Sequence, residues 1–503
     1  MIIRIIILNL VLLFHAVCVF GYDEAGFQTE LEKSGYSRIT KSAEISCLLD
    51  KLTQCYQPLA RKEVIGKSAG GQPIEAIVIG KKAENQEAAN RLTVMVISGQ
   101  HGTEPSGPEA LMIIARELLQ GDLRPLSEHM EVILVPNTNP DGRENHRRVN
   151  NNGVNLSTDY VSLTQPETQV LNSAIIRWQP EVLLDVHESA ILKKKSLGSE
   201  GYLTDFEAQF EVANNPNVPK DIRTMSLEQL LPQILSQINA KGLPAQRYIG
   251  EITSTTQPVT NGGLSIRNVR NKAGLYGVFA FLVENHLDPS DKDYPTFRNI
   301  KVRVEKQILC IKTFLNVMHS NRDAIVSVSQ KARTSKKTGQ TVELNWEYVQ
   351  DKTHPKVTLP LMKRDTGQVA QITFADHRIV KTWNTLTLPS TYVVTKHMEL
   401  IKPVLDRNNI AYKVIDQPIK ARVQAMQPAA QGQQKPVEAE TTNSDHRNID
   451  LEVKPGALWI ELDQLSGPLV PLLLEVNASS SIFLTPPCSI LVEPKQDFFI
   501  YRL

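Results

Sequence analysis

The sequence is almost without net charge. Its 55 Lys and Arg against 54 Asp and Glu leave +1 over 503 residues. That balance gives no pull toward polyanions, so neither nucleic acid nor an anionic membrane surface is an expected partner. Cysteine is scarce, and the five present are not spaced as zinc ligands. No internal repeat and no glycine-rich phosphate fingerprint can be found, which sets aside repeat arrays and the common nucleotide-binding folds. Beyond the first twenty residues no apolar run is long enough to span a bilayer.

The N-terminus has what the rest lacks. Met1 to Arg4 supplies a short basic start, Ile5 to Phe20 an apolar stretch, and Val19-Phe-Gly21 the small-residue end that a signal peptidase reads. The expectation is a signal peptide over 1–21 and an exported protein, periplasmic or secreted, with an uncleaved anchor as the rival. Cys18 lacks the preceding residues of a lipidation site. Cys47, Cys55, Cys310 and Cys488 remain after cleavage. Cys47 and Cys55 fall on one predicted helix, Ser42 to Tyr56, where residues eight apart are about 12 Å from each other, so free, buried thiols are expected.

At this length two domains are expected: a catalytic unit over 22–325 and a smaller α+β unit over 332–503. From Glu63 to about Ser320 strands and helices alternate. Pro73 to Gly80, Leu92 to Ser98, Glu131 to Pro136, Val182 to Val186 and Val278 to Val283 read as strands. Pro108 to Gln120, Ser226 to Ala240 and Thr296 to Met318 read as helices. Thr164 and Glu167 look like a capping box opening another. Thr253 to Gly274, rich in Gly, Asn, Ser and Thr, reads as a surface loop. The pattern predicts an α/β fold with a mostly parallel sheet between helices. Further on, Val342 to Val349, Lys356 to Leu361 and Gln368 to Phe374 read as short strands. Thr391 to Arg407 reads as one helix, and 421–447 as a disordered segment.

Two imidazoles and a carboxylate stand at strand ends in the first unit. His101 and Glu104 lie in Ser98-Gly-Gln-His-Gly-Thr-Glu-Pro105, just after one apolar strand, and His187 closes another. Such a set suits one Zn²⁺ with a coordination position left open, and the carboxyl edge of an α/β sheet is where such groups can converge. Glu284 ends a further apolar strand, Phe281-Leu-Val-Glu-Asn285, and a carboxylate beside that metal can move protons. Glu188 adjoins a ligand but faces the opposite side of its strand.

The order of these motifs resembles the M14 zinc carboxypeptidase family. It runs from H-x-x-E through Asn139-Pro-Asp-Gly142 and Arg148 to Asn155, then to His187 and Glu284. The resemblance implies a mixed eight-stranded sheet between helices, one zinc at His101, Glu104 and His187, and hydrolysis of peptide bonds. It assigns Glu284 as the general base and Arg148 as the group that holds the oxyanion, with Arg143 and Arg147 as neighbours that could be confused with it. Two departures stand out. Asn155 replaces the aspartate that normally orients the first histidine. Ser157 and Thr158 replace an Asn-Arg pair that binds the substrate's C-terminal carboxylate, which leaves Arg267 or Arg270 as candidate substrate-binding cations. Tyr248 is the nearest substitute for the family's substrate-binding tyrosine. Three functions stay open: a carboxypeptidase-type enzyme acting on peptides or cell-wall peptide stems, a deacylase of small N-acyl amino acids, and a zinc-holding module that binds peptides without turnover.

Overall fold

The computed structural model describes residues 25–80, 91–189, 197–204, 206–286, 299–426, 447–492 and 498–503. The expected signal peptide lies outside them, as does most of the expected disordered segment. No helix among the described residues is long and apolar enough to cross a membrane.

The first unit is built on strands β1 (Ala60–Lys67), β2 (Pro73–Ile79), β3 (Leu92–Ser98), β4 (Met130–Val135) and β5 (Val182–Ser189). After a short strand β6 (Tyr202–Thr204) come β7 (Ala208–Val212), β8 (Ala245–Arg247) and β9 (Phe279–His286). Apart from β6 they form one eight-stranded sheet in the order β1-β2-β4-β3-β5-β9-β7-β8. β3 runs parallel to β4 and to β5, and β5 parallel to β9, whereas β2 against β4 and β7 against β9 are antiparallel. The sheet is therefore mixed, with a parallel centre.

That centre follows from composition. Val94, Met95, Val96 and Ile97 of β3, and Leu183, Leu184 and Val186 of β5, are buried on both faces, as continuous apolar runs in parallel strands must be. The helices Ser106–Gln120 and Ile300–Ser320 pack together over one side. Across the sheet, helix Pro166–Trp178 rests on β1 and helix Val269–Leu275 on β5 and β9.

Several expectations give way here. Thr164 does not cap helix Pro166–Trp178. Its hydroxyl and amide instead bond Asp159, which also takes the Gln165 amide and the Thr168 hydroxyl, while Glu167 accepts from Ala69 N and Asn150. An ionised carboxylate with four donors outcompetes the local box. The polar stretch 253–274 ends in a buried helix rather than a surface loop, because Asn268 caps it and Asn271 bonds the loop carbonyls of Gly263 and Ser265. Helix Arg322–Thr334 crosses the boundary expected at 325 and belongs with the sheet, since Ser329 bonds Gly277 O and Arg333 bonds Pro180 O. Cys47 and Cys55 form no disulfide, but Cys47 is exposed rather than buried.

The C-terminal part is mainly antiparallel. β10 (Thr341–Val349) pairs with β13 (Ile379–Thr387), and β11 (Lys356–Lys363) with β12 (Val369–Ala375). A six-stranded sheet combines β14 (Thr391–Val394), β15 (Lys413–Val414), β16 (Ile419–Ala425), β17 (Arg447–Val453), β18 (Leu458–Glu461) and β19 (Ile500–Arg502). Thr391 to Arg407 is thus not one helix. Its β-branched start, Thr391 to Val394, is fully enclosed between β18 and β19, and the helix begins only at Met398. Residues 421–425, expected to be disordered, pair with 447–451 across β16 and β17, with Ala425 opposite Arg447. The two parts interlock: β11 adds to β6 through Leu361 and Thr204, and one hydrophobic core runs from β3 to Tyr392.

Candidate metal centre

β3 ends at Ser98 and Gly99 turns the chain with φ +73°, a conformation glycine adopts freely. The loop that follows is held by the Asn139-Pro-Asp-Gly142 segment. Thr138 bonds Ser98 O, Asn139 donates to Gln100 O at 3.0 Å, and the Asn139 side chain accepts from Gly142 N to cap the helix Pro140–Glu144. Gly102 lies so close to that helix that a Cβ there would sit 2.0 Å from the Gly142 carbonyl carbon. That segment therefore fixes the loop bearing His101 and Glu104.

The three expected ligands meet. His101 Nδ1 lies 2.7 Å from Glu104 Oε1, His187 Nδ1 lies 2.9 Å from Glu104 Oε2, and one donor atom from each residue falls within 4.8 Å of the others. All three are buried. Each imidazole also has its outward nitrogen held. His101 Nε2 is 3.0 Å from Asn155 Oδ1 and 3.1 Å from Ser157 Oγ, and His187 Nε2 is 3.1 Å from Asp185 Oδ2. With Nε2 engaged outside, Nδ1 is turned inward, the arrangement that fixes histidine as a metal ligand. The donor set fits zinc.

Burial pushes Glu104 up, but the two imidazoles outweigh it and hold the carboxyl well below its usual range. Burial depresses His101, whereas at His187 the opposing carboxylates of Asp185 and Glu104 outweigh burial and raise it well above normal.

Glu284 is the register partner of His187 across β5 and β9, and of Gln209 across β9 and β7. Its Oε2 is buried and has no hydrogen-bond partner among the described residues. Burial first, then the carboxylates of Glu104 and Asp185, push it up to about 7 against the pull of His187 and Arg148. Arg148 Nη1 reaches Glu104 Oε1 at 2.8 Å, which places it at the site. Arg143 is instead buried against Glu109 at 2.6 Å and Arg147 is exposed. Glu188 faces the other side, as expected, and is paired there with Arg303 at 2.7 Å.

The two candidate substrate-binding cations differ. Arg267 is exposed, with Nε 3.5 Å from Thr158 O. Arg270 is 4% exposed and fixed on its helix, so it cannot swing in from a loop. Tyr248 stands between charges: burial raises its phenol, followed by the effect of Glu284, and Arg270 opposes them.

Sequence reading missed Asp185, Gln100 and Tyr160. Gln100 donates to both Asp185 oxygens at 2.9 and 2.8 Å and accepts from Tyr160 OH at 3.1 Å. Asp185 was findable: two residues before His187 on a strand, it must share that ligand's face. The negative charge that Asn155 withholds from His101 is supplied at His187 instead.

Residues 45–187 match the zinc carboxypeptidase family. Among similar proteins, carboxypeptidase 2 of Trichophyton rubrum is 24% identical over 257 residues, covering 50% of this chain and 47% of its own length. Mouse carboxypeptidase D is 27% identical over 151 residues, covering 27% of this chain and 11% of the relative. Of solved structures, a metallo-carboxypeptidase from Burkholderia cenocepacia aligns at 16% identity with a TM-score of 0.44, covering 57% of this chain and 70% of that one. The chain spans about half the length of the Trichophyton carboxypeptidases it matches.

Proposed function

We propose that this chain is an exported zinc-dependent peptidase of the carboxypeptidase type, removing residues from the C-terminus of peptides, cell-wall peptide stems among them. The observation that carries the reading is Glu284: a buried carboxylate without a hydrogen-bond donor on Oε2, one strand over from a ligand histidine. A structural acid would be paired, because burying a lone carboxylate is costly. The same observation weighs against a module that only holds zinc and binds peptide.

Zinc held by His101, Glu104 and His187 supplies Lewis acidity. Glu284, pushed up to about 7, is matched to take a proton from water at neutral pH and return it to the departing amine. Arg148 can leave Glu104 for the carbonyl oxygen as negative charge grows there. Arg267, beside Thr158 where the family arginine is absent, is in place to receive the substrate's free carboxylate. That cation favours substrates that carry a free carboxylate. Export rests on the basic-then-apolar N-terminal segment, and N-terminal sequencing of the mature protein tests it.

Glu284→Gln is expected to keep zinc and fold while lowering turnover about 10²–10⁴-fold, the scale of losing a general base. Free-acid peptides, their C-terminal amides and N-acyl amino acids, compared on the wild type, separate the activities. Turnover of the variant at the wild-type rate, or cleavage of N-acyl amino acids alone, would overturn the reading.

A further inference from the structure

The sheet register places a second row of side chains beneath the one that holds His187, Glu284 and Gln209. Two residues back along each strand, on the same face, lie Asp185, Leu282 and Glu211. Glu211 is fully buried and fully engaged. Its Oε1 accepts from Val212 N and from Arg247 Nε, both at 3.0 Å, and its Oε2 from Gly262 N at 2.9 Å. Asn261, with its amide oxygen toward Arg247, takes that residue's two terminal nitrogens at 3.2 Å. Arg247 and Glu211 therefore close on each other.

Arg270 is then left over. A Cβ at Gly262 would lie 2.9 Å from Glu211 Cγ and 3.2 Å from Arg270 Nη2, so the second guanidinium stands against the same carboxylate across a bare glycine. Arg270 Nη2 donates to Asn214 Oδ1 at 3.2 Å and Gly263 O at 3.1 Å, both neutral, and its buried Nε has no acceptor. Two guanidiniums thus share one carboxylate, because Asp185 is committed to His187 and Gln100. A buried cation without its own counter-ion is costly unless a ligand brings the charge. Gly263, whose carbonyl accepts from Arg270, is itself exposed and has open space where a side chain would project. The C-terminal part helps to shape the place: Tyr348 of β10 donates to Gly262 O at 2.8 Å and accepts from Asn214 Nδ2 at 3.1 Å.

We propose that Arg270 is a specificity residue that receives an acidic side chain, so that the substrates are peptides ending in glutamate or aspartate. The assignment rests on the reading of the Glu284 row as the reacting centre. It gives the two cations different tasks, with Arg267 at the rim for the terminal carboxylate and Arg270 beneath for the side chain.

The test is calorimetric binding to the zinc-loaded Glu284→Gln protein, which removes turnover from the measurement. The probes are hippuryl-glutamate, hippuryl-glutamine and the α-amide of hippuryl-glutamate. Glutamate should bind at least tenfold tighter than its isostere glutamine, and Arg270→Gln should reduce that preference below twofold. Arg267→Ala should leave the preference intact while abolishing discrimination against the α-amide. Glu211→Gln, which removes the internal competitor, should strengthen the preference, and this arm stands if Arg270→Gln fails to fold. Equal binding of glutamate and glutamine, a preference that survives Arg270→Gln, or one that weakens in Glu211→Gln would overturn the proposal. If the glutamate preference holds while the wild type cleaves none of the peptides, the proposed activity fails and the assignment of Arg270 stands.

Discussion

At His187 the energetics of one side chain decide whether metal is held. Removing its imidazole leaves His101 and Glu104, two protein ligands on a single loop, and leaves the Asp185 carboxylate with Gln100 alone. His187→Ala is therefore expected to purify with less than a tenth of the zinc per chain found in the wild type, measured by elemental analysis. Equal metal content would remove His187 from the site. At His286, where β9 ends, burial pushes the imidazole down to about 4. The unfolded chain binds that proton near 6.5, so the native state loses stability as pH falls from about 6.5 through 4, by about 3 kcal/mol in all. Urea midpoints at pH 7 and pH 4.5 should draw together in His286→Gln relative to wild type. The ligand set and Glu284 were legible because residue type and strand-end position suffice for them. Arg270 was legible only as a cation, since its burial depends on Asn268 and Asn271 folding a polar stretch into a helix.

Among elements, the loop after β3 depends most on its neighbours. Gly102→Ala would force a Cβ into the backbone of helix Pro140–Glu144, where nothing flexible can give way. The expected result is displacement of His101 and Glu104, seen as weaker zinc retention against a chelator, together with a lowered melting temperature. A variant with wild-type zinc affinity would show that the contact can relax. The central strands could be read from continuous apolar runs, and the helix Ser106–Gln120 from its spacing, to within two residues. What failed was local chemistry overruled by tertiary partners. Thr164 and Glu167 were drawn off to Asp159 and Asn150, and the enclosed strand Thr391–Val394 ran into a helix whose start no capping residue announces.

For the whole molecule, the joint between the two parts centres on Lys272. Its ammonium position is fully buried, donating to Tyr160 O at 2.7 Å and to Asn408 Oδ1 at 2.5 Å, and burial holds it well below the usual lysine range. The folded protein thus releases that proton more readily than the unfolded chain, which keeps it up to about pH 10.4. Stability contributed at this position should rise with pH, by up to about 1.4 kcal/mol per unit. Wild type should therefore gain on Lys272→Met between pH 7 and 9.5 in denaturant titrations, and an unchanged difference would mean that the amine is charged in the fold. Nothing in the sequence marks this joint, because Lys272 and Asn408 are unremarkable residues until 136 positions of chain bring them together.

That separation has a consequence in time. Every residue of the metal centre has been synthesised by Glu284, yet Gly262 has no Tyr348 to bond until about sixty further residues follow, and the amine at Lys272 no Asn408 until more than a hundred do. Until then the helix that Lys272 shares with Arg270 lacks the Asn408 contact of its native packing. Synthesis order therefore makes the reacting groups first and the surface that would select a substrate last.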